Sequence, residues 1–462
     1  MLGGLRRWVD EWRPSAITLG APTFPLIVLF GLNAVDELDR VAFTVLLPDI
    51  RDHFGLNNAG ALRLVALTTI AVLIIEIPLS FYCDRANRVR IATIGATVWA
   101  LFSFGTGAAV VVGSLGMLVV ARIGAGIGRA VVTPTHSSLL SDYYEPAARV
   151  KVFSAHRQAN SVGQILGPLL AGVIAAWLGL AWPFFLFAIP TLVFVLLSLR
   201  LHEPVRGYHE RKAAGLSEDA ALVADAPESA WSTMKVLYQV RTIRRIWWAM
   251  PFLAVALFGV GQLITLVYDD VFNVDSAGRG LIAAASEPLQ IVGVFVAIPR
   301  IAKIAMTDPG FLLRFVAIVG VVDGFVLVAL AYAPYLWIAI AMNLILSASI
   351  GTLAPAFFAM ISIVAPPRVR AASFSTISVF AIPGIAIFLP LIGQLSDAAN
   401  IQVSMVTMVP IAVISGFILR SAAPFVMDDI LTANAPATDP AALGEEVTEE
   451  LAEADTFDVP HT

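Results

Sequence analysis

Charge is what this sequence has least of. Only 14% of its 462 residues are Asp, Glu, Lys or Arg, where soluble domains carry roughly a quarter, and the mean hydropathy is +0.83. Such a composition excludes a water-soluble enzyme or a nucleic-acid binder. A single cysteine, Cys83, excludes any internal disulfide. The chain has no H-E-x-x-H, G-x-S-x-G or His-rich motif and no nucleotide-binding P-loop. Neither an embedded hydrolase nor an ATP-driven pump is expected, and no cofactor or metal is called for. The N-terminus lacks a signal peptide's short apolar core and cleavage site, so the first apolar run is expected to be retained.

Long apolar runs are what the sequence has instead. Twelve are expected, at about 24–50, 61–83, 91–112, 114–140, 151–177, 180–199, 246–271, 279–302, 310–333, 335–364, 371–395 and 401–424. Each is long enough to cross ~30 Å of hydrocarbon. The expected fold is therefore an all-α integral membrane protein with twelve transmembrane helices. Basic residues gather in alternate connections: Arg6, Arg7 and Arg13 before the first run, Arg85, Arg88 and Arg90 after the second, Arg149 and Lys151 after the fourth. The opposite connections hold only Arg51, Arg63 and Arg279. By the positive-inside rule both termini lie in the cytoplasm of a multi-pass protein of the cell (inner) membrane.

The organisation reads as residues 1–23, a cytoplasmic amphipathic segment with Leu5, Trp8, Val9 and Trp12 on one face; 24–200, a first six-helix bundle; 201–245, a polar cytoplasmic linker; 246–424, a second bundle; and 425–462, an acidic disordered tail. The tail holds ten acidic residues and no basic one, so the formal charge of −5 conceals a net positive charge over the rest. The halves echo each other: "EPAARVKVFSA" opens the fifth run and "APPRVRAASFS" the eleventh. Parallel repeats of this kind are a transporter architecture, with the substrate near the midplane between them.

The apolar runs carry few charges, and most of them crowd into one. In "NAVDELDRVAF", Asn33, Asp36, Glu37, Arg40 and Thr44 follow the helical spacing of a single polar stripe, with Asp39 beside Arg40 at its edge. A charge at the centre of a membrane helix costs roughly 2.5–3.5 kcal/mol on insertion scales, so the stripe should face a cavity or a partner helix. Arg122, Arg129, Thr133 and His136 share a face of the fourth run, and the fifth adds His156, Arg157, Asn160 and Gln164. One reading is a structural ion-pair network that locks the first bundle; the reading carried forward is a substrate and ion pathway. Outside the first bundle's stripes the spans carry Glu76, Glu287 and Asp323, with Pro288 loosening the helix beside Glu287. Gln262, Asn343, Ser347, Ser349 and Thr352 read as interhelical hydrogen-bonding groups.

Several stretches resemble a known family. "SFYCDRANRVR" is similar to the major facilitator signature G-x-L-x-D-R-x-G-R-R-x, with Asp84, Arg85, Arg88 and Arg90 in place and Ser80 and Asn87 where two glycines stand. "GQILGPLLAG", with Gly163, Gly167, Pro168 and Gly172, resembles the Gly-Pro signature of antiporters. "LDRVAFTVLLPDI" and "GIGRAVVTPTHSSLLSDYY" look like the Spinster branch of lysolipid and sphingolipid transporters.

The resemblance implies two six-helix bundles in the major facilitator fold and proton-linked alternating access. It implies export of an amphipathic substrate such as a lysophospholipid or sphingoid lipid. Asp39 would be a proton-sensitive group and Arg40 its neighbour; Asp84 with Arg85 and Arg88 would form a cytoplasmic gate latch. The pattern departs at one position: the branch's fourth-helix glutamate is Arg129 here, and a guanidinium does not deprotonate in proteins. Coupling would then rest on Asp36 and Glu37, or on Asp39 alone, with Arg129 free to hold an anionic head group. The expected cavity set is Arg40, Arg122, Arg129, His136, Arg157 and Glu287. The expected partners are protons, the lipid bilayer and a small amphipathic substrate, with the chain a monomer. The rival reading is a multidrug/proton antiporter for small hydrophobic or cationic compounds.

Overall fold

A computed structural model describes residues 13–83, 86–205, 230–365 and 370–433, and they are helical almost throughout. After a single turn at Pro14–Ile17 the helices are α1 (Phe24–Val45), α2 (Leu47–His53), α3 (Asn58–Cys83), α4 (Arg88–Val112), α5 (Leu115–Ala130), α6 (Val132–Tyr143), α7 (Pro146–Leu178) and α8 (Trp182–Ser198). Beyond the connection come α9 (Ala230–Gln239), α10 (Arg241–Asp270), α11 (Ser276–Ala305), α12 (Phe311–Ala331), α13 (Leu336–Val364), α14 (Arg370–Ala398), α15 (Ile401–Val406), α16 (Met408–Ala422) and α17 (Val426–Ala433).

Every expected membrane run carries a helix. Among the described residues ten helical stretches are long and apolar enough to cross a bilayer, and α8 is a shorter apolar helix. Helix α1, at 22 residues, also reaches across ~30 Å. Its four ionisable side chains are what set it apart from the apolar ten. Local signals fix many ends. Asn87, Ser114 and Asn400 accept from the backbone N–H three residues on, as N-caps do. Gly113 closes α4 at φ 71°, in the left-handed region glycine tolerates.

Three spans break where the sequence suggested one run. The first divides at Leu46, with Pro48 starting the second segment; the fourth divides at Val131; the last divides at Thr407. The seventh span also starts earlier than expected, at Arg241, inside the stretch read as linker. The reason lies at the other end of the chain. The Asp429 carboxylate accepts from the backbone N–H of Arg241 and of Thr242, capping α10, and the Phe425 ring lies 4.0 Å from the Arg245 guanidinium. Residues 425–433, assigned above to the disordered tail, are thus helical and packed. The segment 1–12, linker residues 206–229 and tail residues 434–462 lie outside the described residues.

Helices α1 to α8 form one bundle and α10 to α16 the other. Within the first, α7 packs on α1 and α4 on both α5 and α8; within the second, α11 and α12 pack on α13, and α10 on α14 and α16. The two broad seams between bundles are α7 against α11 and α3 against α14. These seams correspond under the repeat, since α7 and α14 are the two helices whose openings echo in sequence. Helix ends that meet Val205 and α9 define the linker side of the molecule; the opposite ends define the far side.

Candidate functional site

The site grows from one turn and a half of α1, whose three carboxylates diverge. Asp39 has no exposed surface. It accepts from Ser103 Oγ at 2.5 Å, Trp99 Nε1 at 3.5 Å and Arg122 Nη1 at 3.3 Å. Arg122 also lies 4.1 Å from the centre of the Phe43 ring. Asp36 Oδ1 stands 3.4 Å from Arg129 Nε. Glu37 takes a two-pronged contact from Arg40, with Nε to Oε2 at 2.9 Å and Nη2 to Oε1. The expectation that Asp39 lies with Arg40 at one stripe's edge is corrected here. A residue's rotation on α1 sends Asp39 inward between α4 and α5, while the Arg40 side chain keeps 53% of its surface exposed.

Across the boundary stands Glu287 of α11, a helix that touches α1. Glu287 is 7% exposed and accepts from Gln290 Nε2 at 2.7 Å. Asn343 donates to Ser286 Oγ at 3.1 Å beside it, and Gln262 reaches Thr44 Oγ1 of α1 at 3.4 Å. Three cations and three acids of the first bundle thus lie on one side of the boundary, and one acid of the second, Glu287, on the other.

The histidines stand apart from the carboxylates. His136 Nδ1 lies 3.2 Å from His156 Nε2, joining α6 to α7, and Asn33 donates to Asn160 Oδ1 at 2.6 Å and to the His156 carbonyl at 3.3 Å. Arg157 is exposed and makes no hydrogen bond or ion pair among the described residues.

The Gly-Pro stretch of α7 works by close approach. A Cβ at Gly163 would lie 2.6 Å from Glu37 Cβ and 2.7 Å from the Ala34 carbonyl, and one at Gly167 would lie 2.9 Å from the Leu38 carbonyl. One turn further, a Cβ at Gly172 would strike the Ser276 carbonyl, and the Pro168 carbonyl fills the space a Cβ on Gly280 would need. The first two positions seat α1, and the last two seat α11 of the other bundle.

At the linker side Arg88 is 1% exposed and fully engaged. It donates to Glu203 Oε1 at 2.7 Å, Ser138 Oγ at 2.6 Å, the Pro204 carbonyl at 2.9 Å and Asp142 Oδ2. Arg90 is exposed. Asp84 and Arg85 lie outside the described residues.

Sequence reasoning missed a second charged cluster, at the far side. Arg51 donates to Asp269 Oδ2 at 2.8 Å and Asp270 Oδ1 at 2.6 Å, crossing from the first bundle to the second. Arg279 crosses the other way, to Asp49, while also holding Asp269 Oδ1 at 2.6 Å. Asp397 accepts from the N–H groups of Asn58 and Ala59 at 2.9 Å, and a Cβ on Gly393 would lie 2.6 Å from Ala59 Cα. Burial alone would lower the Arg51 pKa, but hydrogen bonds to Asp52 and Asp270 outweigh it and hold the guanidinium above its ordinary value. The signal was present: Arg51 and Arg279 are exceptions to the charge asymmetry of the loops.

Known proteins share this design. Residues 29–382, more than half of the chain, match the family model described as Major Facilitator Superfamily. Over 193 residues the chain is 28% identical to Protein spinster of Drosophila melanogaster, covering 40% of this chain and 31% of that protein. It is 26% identical over 250 residues to the Cis,cis-muconate transport protein of Acinetobacter baylyi, 53% of this chain and 58% of that protein. These matches thus span between about a third and three-fifths of those relatives' length. The structure of a bacterial homologue of the human lysosomal transporter Spinster, inward-facing and unoccupied, aligns with TM-score 0.67 at 17% identity over 90% of this chain and 99% of that one. A peptide transporter in complex with sulfate aligns with TM-score 0.70 at 16% identity over 89% and 96%. With ten helices long and apolar enough to cross a bilayer among the described residues, α1 and the shorter α8 beside them, and the family match over residues 29–382, the chain belongs to the Major Facilitator Superfamily, a family of transporters and not of enzymes.

Proposed function

We propose that the protein is a proton-coupled exporter of an amphipathic substrate such as a lysophospholipid or sphingoid lipid, working by alternating access. The observation that carries this reading is the arrangement around α1: a buried carboxylate, Asp39, ion-paired to Arg122, one residue from a cavity-exposed cation, Arg40. A proton on Asp39 removes the charge that Arg122 answers and loosens α1 from α4 and α5. Because Arg40 and Glu37 sit on the same helix, and that helix touches α11 of the other bundle, α1 can pass that change to the cavity wall. The protonation state then biases which side is open. Asp36 is the second candidate carrier, because Arg129 cannot itself release a proton.

The far-side charge cluster is part of the same cycle. Arg51 and Arg279 each reach into the opposite bundle, and breaking their pairs is the step that opens that side. The linker side faces the cytoplasm, with the Arg88 cluster and the Asp84–Arg85 segment forming its gate. The similarity to spinster proteins supports the substrate class; the likeness to a muconate transporter keeps a small organic anion in view.

The test is reconstitution into liposomes under an imposed pH gradient, following a fluorescent lysophospholipid and a cationic dye side by side. Gradient-dependent movement of the lysophospholipid is expected. Movement of the dye alone would make the protein a multidrug/proton antiporter, with Glu37 and Glu287 as the groups that attract the cation.

A further inference from the structure

The outer surface of the first bundle carries a feature the transport cycle does not use. Arg90, in the first turn of α4, stands between two recesses on the linker side. One, of about 330 Å³, lies between α4 and the chain after α8, with Thr93, Ile94, Leu199 and Leu201 in its wall. The other, of about 380 Å³, lies between α3, α4 and α5, and its wall is apolar: Leu79, Ile91, Ile94, Val98 and Ile127. Asn87, Arg90 and Ile94 belong to both, so the recesses are neighbours divided by a single turn of helix.

The surroundings are apolar and exposed. Ile94 is 62% exposed, and Tyr82 and Leu199 beside it are similarly open. Helix α4 turns its packed faces towards α5 and α8, so its exposed Ile94 side looks outward from the first bundle.

The polar groups at the divide have one sign to spare. The Arg90 side chain makes no hydrogen bond or ion pair among the described residues. Asn87 Oδ1 accepts from the Arg90 N–H at 2.8 Å, which leaves the Asn87 amide NH₂ as a donor. Among the described residues the one acid in either wall, Glu203, is already engaged: Oε1 takes Arg88 Nε at 2.7 Å and Oε2 takes the Val89 N–H at 2.9 Å. What remains among the described residues is a guanidinium without a counter-charge and an amide donor between the two recesses.

We propose that this is a binding site for a two-chain anionic phospholipid of the linker-side leaflet, its phosphate on Arg90 and Asn87 and one acyl chain in each recess. The occupant is a structural lipid rather than the transported molecule, since the site opens to the bilayer and not to the cavity. Two chains fit because there are two grooves with one head-group position between them. An anionic head group fits because Arg90 has no counter-charge among the described residues.

The test is to reconstitute the full chain in equal parts phosphatidylglycerol and phosphatidylcholine, extract it in mild detergent, and read the retained lipids by native mass spectrometry. The wild type is expected to keep phosphatidylglycerol in preference. Arg90→Gln should lose about fivefold of that preference, which is ~1 kcal/mol for one basic residue against anionic lipid. Arg90→Lys should keep most of it, and Arg300→Gln, an exposed cation on the other bundle, should change nothing. Should Arg90→Gln disturb folding, the lysine variant and the wild type's own head-group preference still decide. Equal retention of both lipids by the wild type overturns the proposal, as does unchanged preference in Arg90→Gln. Binding of inorganic phosphate with no lipid retained overturns it as well.

Discussion

Asp39 and Arg122 meet inside the first bundle and not in the cavity: Oδ2 lies 3.3 Å from Nη1, and the carboxylate is wholly buried. A charge pair in that position is sensitive to the loss of either member. Removing one partner leaves the other uncompensated, which costs more than the pair itself contributes.

The first prediction concerns coupling. Asp39→Asn keeps the shape, and its amide can still meet Ser103 and Trp99, but it cannot carry a proton. The variant should reach the membrane folded, with a lowered melting temperature, and should lose gradient-driven transport while retaining downhill exchange of substrate. Vesicle assays with and without the gradient separate the two activities. Gradient-driven transport at the wild-type rate would remove Asp39 from the proposed role.

Asp36 and Arg129 allow a double-mutant cycle. Each single change, Asp36→Asn or Arg129→Gln, strands a partner in a half-dry site, whereas the double variant strands neither. The coupling energy from thermal unfolding in detergent should fall at about 0.5–3 kcal/mol, the range for residues in contact. A value near zero would mean that the 3.4 Å approach contributes nothing to the fold.

The far-side cluster predicts a shift in which face is open. In a Cys83→Ser background, Ala59→Cys places a thiol where the structure leaves only 2% exposure, beneath Gly393. Labelling by an impermeant maleimide should be slow with the cluster intact. Arg51→Ala or Arg279→Ala should speed it several-fold, and the double change should add little, because both arginines act through Asp269. Equal labelling in all variants would show that helix packing alone holds the far side.

A fourth prediction addresses the packed start of the tail. Asp429→Ala removes the cap on α10 and should lower stability by about 0.5–2 kcal/mol, as lost N-caps do. Truncation after Ala433 should leave the unfolding midpoint in place. Truncation after Ala422 should cost more than the point variant, since Phe425 and its contact with the Arg245 guanidinium go as well.

Much of this architecture was legible in the sequence because lipid imposes it. Backbone groups in hydrocarbon must bond within their own helix, so apolar length alone marks a span. The spans came through for that reason, as did the opposed acids of α1 and bases of the fourth span. What escaped was the pairing. Helical spacing places Asp39 near Arg40 on a wheel, but only the packing of α4 and α5 against α1 decides that Asp39 meets Arg122. The break at Val131 was hidden by unbroken hydropathy on both sides of it. Arg88 was read as a partner of Asp84, while Ser138 and Asp142 of α6 and Glu203 and Pro204 after α8 take its donors from two different parts of the chain. Contacts between residues distant in sequence are set by tertiary packing, and no local period announces them.

Helix α7 shows what such packing can impose on movement. Its Gly163–Gly167 half is inlaid into α1 of its own bundle, and its Pro168–Gly172 half rests on α11 of the other. The same rod is therefore a keel at one end and an axle bearing at the other. In that second half backbone meets backbone with no side chain between, so a rocking of the bundles bears on it. A methyl group added in the keel loosens a joint meant to stay still; one added in the bearing jams a joint meant to turn. The two kinds of damage should look different in the hand: the first as a protein that melts early, the second as one that melts on time and no longer moves its cargo.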